Sequence, residues 1–193
     1  MKLNVVLYQP EIPENTANIM RTCAASNFKL HLIEPFGFAL SSSKFKRSSA
    51  NNLDNVNYER YINWEDFTSK NDGEYFYMTR YGKKAPSTID FKSLNKDIYL
   101  VFGKESTGIP YELLASNLDR CFRLPMNSNV RALNVSNCVA ICCYEVLRQL
   151  DYPNLSMVEP ENFKGENFLL NFKKSLLTIA HYYSIIICVA GVV

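Results

Sequence analysis

Arg21, the pair Gly103 and Gly108, and the polar run from Asn127 to Asn137 are the positions whose types and spacing could do chemistry. Arginine offers five fixed N–H donors, which suits a phosphate or a developing oxyanion. Arg21 lies in Asn15-Thr16-Ala17-Asn18-Ile19-Met20-Arg21-Thr22, where Ile19, Met20, Cys23 and Ala24 share a helical face. Its guanidinium should therefore emerge near the strand ends, although a merely solvated helix arginine has the same pattern. Asn15 and Asn18 could cap that helix or touch a ligand. Gly103 follows an apolar run and Gly108 comes five residues later, so the backbone can turn tightly and approach a ligand without a Cβ in the way. A plain strand-to-helix turn reads the same. A phosphate loop is excluded, because it would need Gly at 98 and Ser or Thr at 105, where Ile98 and Glu105 stand. In the third stretch, Asn127, Ser128, Asn129, Arg131, Asn134, Ser136 and Asn137 precede an apolar helix. Capping uses one such residue, which leaves the others and the helix's free amides for a polar ligand.

The elements that must position these residues alternate in type. Leu3 to Tyr8, Lys29 to Ile33, Glu74 to Met78 and Ile98 to Phe102 read as strands. Helices are expected from Asn15, over Asn63 to Lys70, over Pro110 to Asn117 and over Asn134 to Leu150, where Val135, Cys138, Val139, Cys142, Val146 and Leu150 keep helical register. This order predicts an α/β fold, a mainly parallel sheet with helices on both faces. Ligands in such sheets gather beyond the carboxyl ends of the strands, and all three stretches fall there.

With 193 residues, 47% hydrophobic and 21% charged, the chain has the composition of a folded domain with a real core. A net charge of +2 implies no strong polyanion field, so any nucleic-acid surface must be local. Two clusters qualify: Lys44, Lys46 and Arg47, and Arg80, Lys83 and Lys84. Both fall on loops at one sheet edge and would suit RNA phosphates, or are simply solvated. Six cysteines without paired CxxC spacing, and two distant histidines, argue against a zinc site. Cys138 and Cys142 read as small buried hydrophobes. The start shows no secretory pattern, so a cytoplasmic location is expected.

Taken together, the three stretches, with Leu7-Tyr8-Gln9-Pro10-Glu11-Ile12-Pro13 and Leu30-His31-Leu32-Ile33-Glu34-Pro35-Phe36-Gly37-Phe38, resemble the SPOUT class of RNA methyltransferases. Within it they are most similar to the small single-domain enzymes that methylate the ribose 2'-hydroxyl of the tRNA wobble nucleotide, cytidine or uridine 34. The resemblance runs from Leu3 to about Pro153. It implies a C-terminal trefoil knot and an S-adenosylmethionine site at Met78, Thr79, Gly103, Lys104, Glu105, Leu124, Met126, Ala132 and Leu133. Arg21, Ser136, Asn134 and Tyr144 would serve catalysis, and Arg21, Lys44, Lys46, Arg47, Lys83 and Arg131 would hold RNA. The partners it implies are a tRNA anticodon stem-loop and a second copy of the chain, joined through the knot region with the helix from Asn134 as the interface element. Because arginine keeps its proton, Arg21 is expected to position a phosphate and stabilise alkoxide charge rather than act as a base. Ala17 departs from the family's glycine, and Ala132 from its serine.

Residues 1–153 form the expected methyltransferase domain and 154–193 a tail, uncharged from Ser175 to Val193 behind Lys173-Lys174. That run is near bilayer-crossing length, but Thr178, His181, Tyr182, Tyr183 and Ser184 lower its apolarity. It could be a packed or amphipathic helix, a membrane anchor, or the product of a shifted reading frame. The rival functions are an inactive RNA-binding protein of the same fold and a membrane-tethered interaction protein.

Overall fold

The computed structural model describes residues 1–41, 45 and 56–189, with backbone alone for 179–189. Two compact units result, Met1–Pro153 and Asn154–Val193. The first is built on a six-stranded sheet in which every pairing is parallel. Its strands are β1 (Leu3–Tyr8), β2 (Lys29–Ile33), β3 (Tyr58–Tyr61), β4 (Glu74–Met78), β5 (Ile98–Phe102) and β6 (Cys121–Phe122), in the order β3-β2-β1-β5-β4-β6. All five residues of β5 are buried. An unbroken apolar run of that kind is what a parallel strand covered on both faces requires.

Alternation along the strands feeds two layers. On one face Val6, Ile33, Tyr99 and Val101 pack with Tyr61, with Phe67 of α2 (Trp64–Lys70) and with Leu114 of α3 (Tyr111–Ala115). The other layer holds α1 (Pro13–Ser26) against α4 (Val135–Gln149), burying Ile19, Met20 and Cys23 of the first and Val139, Cys142, Cys143 and Val146 of the second. Burial pushes the Cys142 thiol up to about 12, and that of Cys143 well above the usual range. Cys142 is thus a buried small hydrophobe, whereas Cys138 is half-buried. Each expected strand and helix is present. The first helix begins at Pro13, and the fourth uses Asn134 as its cap, the side chain accepting from Ser136 N at 2.8 Å. β3 and β6 are additions.

After β4 the chain crosses the chain after β6 at close range. Thr79 N donates to Phe122 O at 2.8 Å and Arg123 N to Lys84 O at 2.9 Å. A Cβ on Gly82 would stand 2.4 Å from the Phe122 carbonyl carbon, so no other residue fits that crossing without a shift.

In the second unit, α5 (Phe168–Val189) follows turns in which Gly165 N donates to Pro160 O at 3.2 Å. Among the described residues no helix is long and apolar enough to cross a membrane.

Candidate active site

The carboxyl ends of β1, β4, β5 and β6 open into a cleft of about 870 Å³. Tyr8, Met78, Phe102 and Phe122, the last residues of those strands, form its wall. The loop 103–108 makes one side, and the segments 123–126 and 131–135 make another. Gly103 is required by the loop itself: a Cβ there would lie 2.1 Å from the Gly108 carbonyl carbon. Lys104 and Gly108 exchange two backbone hydrogen bonds, 3.2 and 2.9 Å, and Gly108 holds a φ of 79°. The glycine therefore closes the loop on its own backbone, whereas the sequence suggested room for a ligand.

Side chains fix this loop to the start of α1. Pro13 occupies the first turn, and the helix has no side-chain cap of its own. Glu105 supplies one from across the cleft, its carboxylate accepting from Glu11 N (2.9 Å), Ile12 N (3.3 Å) and Asn15 Nδ2 (3.0 Å). A carboxylate at that end also meets the positive end of the helix dipole. Glu11 returns the contact, accepting from Ser106 N and Oγ at 2.9 and 2.8 Å, and the Ser106 donors hold its carboxyl below the usual range. Asn15 Oδ1 then accepts from Asn134 Nδ2 (2.9 Å), and Asn134 Oδ1 accepts from Ser136 Oγ (2.6 Å). One chain of bonds thus joins all three stretches singled out in the sequence.

All nine residues expected at the cofactor line the cleft, as do Arg131 and Asn134. Three of them carry qualifications. The Glu105 carboxylate is committed to the α1 terminus, and Ala132 and Leu133 lie on an exposed segment. The amides of residues 131–134 have no hydrogen-bond partner among the described residues, which leaves them free for a ligand. Ser136 is buried and satisfied by Asn134, outside the lining. Arg21 and Tyr144 are not brought to the cleft of the single chain. Arg21 is exposed, six residues or about 9 Å along α1 from Asn15. Tyr144 is 48% exposed, ten residues or about 15 Å along α4 from Asn134. Lys83 is exposed on the 79–84 loop, away from the lining. Lys44, Lys46 and Arg47 lie outside the described residues. Ala17 sits inside α1, 2% exposed and with a negative φ, so the family's glycine is not needed there.

Of the mouth of the cleft, sequence reasoning named only Arg80, as part of a basic cluster, and missed the rest. Arg80, Tyr81, Tyr111 and Arg123 line it. Tyr81 and Tyr111 gave no signal beyond residue type, because two segments thirty residues apart must fold together to reveal them. The Tyr81 and Tyr111 hydroxyls stand 3.1 Å apart. Donors on Tyr111 and Arg80 hold the Tyr81 phenol below its usual range, and Tyr81 in turn pushes Tyr111 up. Gln9, another lining residue, takes a φ of 50°, a left-handed conformation of the sort that collects at functional sites.

Residues 2–144 match the model of the SpoU rRNA methylase family. A Geobacillus stearothermophilus protein, proposed to be a tRNA (cytidine(34)-2'-O)-methyltransferase, is 48% identical over 157 residues, covering 81% of this chain and all of that one. A solved structure from work on 2-OH methylation of C/U34 on tRNA superposes with a TM-score of 0.72 at 36% identity, covering 78% of this chain and 97% of its own. An AdoMet-bound rRNA methyltransferase from Sinorhizobium meliloti gives 0.68 at 25% identity, covering 77% of this chain and 57% of its own. A cleft at the strand ends, three sequence stretches locked around it and a family match across three-quarters of the chain converge: this protein belongs to the SpoU rRNA methylase family.

Proposed function

We propose that this protein transfers a methyl group from S-adenosylmethionine to the ribose 2'-hydroxyl of the wobble nucleotide, cytidine or uridine 34, of tRNA, and does so as a homodimer. The observation that carries the reading is the cleft: every residue that the resemblance assigns to the cofactor meets there, at the carboxyl ends of parallel strands. Its volume lies within the range of small-molecule sites, about 300–1,000 Å³. Met78, Leu124 and Met126 offer apolar contacts to an adenine, and the free amides of 131–134 offer donors to polar groups. When bound, S-adenosylmethionine supplies a methyl group on a sulfonium sulfur, which becomes a neutral thioether as the methyl passes to oxygen.

The chain's own part is binding, orientation and charge. A ribose hydroxyl must lose its proton as it attacks. Both Glu105 oxygens accept from the α1 terminus, so that carboxylate holds the site together rather than facing the ribose. The proton goes to solvent or to a phosphate oxygen, and a guanidinium stabilises the alkoxide as it forms. Arg21 stands away from the cleft of its own chain, which favours an arrangement in which the dimer brings it to a target nucleotide. Ile141 and Tyr144, 46% and 48% exposed on α4, are the apolar surface for that contact. The tight crossing of 79–84 over 122–123 is where the knot of this family would lie.

The test is methyl transfer from labelled S-adenosylmethionine to an anticodon stem-loop. Wild type should transfer, and Arg21→Ala should lose about a hundredfold or more in kcat while binding the cofactor normally. Tight binding of both ligands by wild type without transfer would refute the reading.

A further inference from the structure

We propose that Tyr81 and Tyr111, with Arg80 and Arg131 beside them, form a stacking site for the unpaired RNA base adjoining the nucleotide whose ribose is methylated. The inference rests on the tRNA reading above and extends it to a residue pair at the cleft mouth. Both rings line the cleft yet are 49% and 60% exposed, whereas its deeper members Phe122 and Ile109 are 5% and 3% exposed. The pair therefore sits at the mouth of the cleft. Exposed tyrosines are ordinary singly, but these two are held together. Their rings meet edge to face, centroids 5.7 Å apart at 74°, and their hydroxyls are 3.1 Å apart.

The Arg80 guanidinium lies 4.8 Å from the Tyr81 ring centre and donates to its hydroxyl at 2.5 Å. Arg123 donates to the Arg80 carbonyl at 2.9 Å, which fixes the loop that carries both residues. Ordering costs are thus met before any ligand arrives, which raises what a stacked partner gains. Arg131 lines the same cleft, close enough for its charge to act on the Tyr81 hydroxyl. Aromatic faces accept any base, and arginines beside them accept the backbone phosphates; this pairing of groups is the usual equipment for single-stranded nucleic acid. An anticodon loop presents unpaired bases on both sides of its wobble nucleotide, so the next base along falls at the mouth when that ribose is at the cleft.

The experiment uses the full chain, a synthetic anticodon stem-loop with 2-aminopurine beside nucleotide 34, and the same stem-loop with an abasic site there. Tyr81→Ala and Tyr111→Ala should each weaken binding of the intact stem-loop about fivefold to a hundredfold and abolish 2-aminopurine quenching. Tyr81→Phe and Tyr111→Phe keep the π-face and should stay within about twofold of wild type. The abasic stem-loop should bind wild type and the alanine variants alike, and cofactor affinity should not move. Alanine variants that bind the intact stem-loop as wild type does would overturn the proposal, as would an equal loss on the abasic one. A fall in S-adenosylmethionine affinity alone would assign the pair to the cofactor and also overturn it. Failure of wild type to methylate any tRNA would count against the function, whereas the stacking claim is read from binding and quenching alone.

Discussion

Glu105 shows how a residue can be essential to a site without facing the chemistry. Three donors from the start of α1 converge on its carboxylate. Glu105→Ala would leave two backbone amides and Asn15 without that partner, and urea unfolding should show a loss of about 1–3 kcal/mol. Gly103 has a different reason for its identity. Gly103→Ala forces the 103–108 loop apart and should lower kcat/KM about a hundredfold through misplacement of the site, since its Cβ meets backbone at 2.1 Å. Gly108→Ala meets no atom within 4 Å and costs only its left-handed φ, about 1–2 kcal/mol of stability. The sequence made Gly103, Asn15 and Asn134 legible as site members. It could not reveal the bonds that link them, because Glu105 to Asn15 and Asn134 to Asn15 join residues 90 and 119 positions apart.

At the scale of elements, legibility followed apolar density. β5 is Ile-Tyr-Leu-Val-Phe and announces itself, whereas β3 is Tyr-Glu-Arg-Tyr at the sheet edge with Tyr61 alone buried. β6 is two residues long and depends on β4 for its existence. β3 nonetheless anchors a buried polar link across the sheet. Asn4 Nδ2 donates to Ile98 O, leaving its Oδ1 to accept from His31 Nε2 at 3.1 Å. His31 Nδ1 then accepts from the Tyr61 hydroxyl at 2.8 Å. Burial, with Lys29 nearby, lowers His31 to about 4, against 6.5 for the free side chain. The folded protein therefore resists a proton that the unfolded chain takes up once pH drops below about 6.5. This contribution is complete above that pH and fades toward pH 4, by about 2–3 kcal/mol. Urea midpoints should fall across that window, and His31→Gln should flatten the slope there.

For the whole molecule, the boundary at Pro153, with a relative matched along its full length, leads us to propose that the first unit folds by itself. A chain ending at Pro153 should unfold cooperatively with an unchanged urea midpoint and retain methyl transfer. The proposed association is a separate matter, and it rests on Arg21 lying outside the cleft lining of its own chain. Tyr144→Asp places a charge on the proposed contact; sedimentation should show monomers, and activity should fall by at least the loss expected of Arg21→Ala. The helical register read from the sequence is mainly the face of α4 buried within the chain; Ile141 and Tyr144 lie outside it, and only the structure shows them as an exposed apolar pair. The measurement that reaches furthest is mapping of the transferred methyl on an anticodon stem-loop, beside a twin carrying 2'-deoxyribose at position 34. Label confined to O2' of nucleotide 34, and absent from the twin, is the expected result. Label on a base, at another ribose, or undiminished in the twin would contradict wobble-ribose methylation.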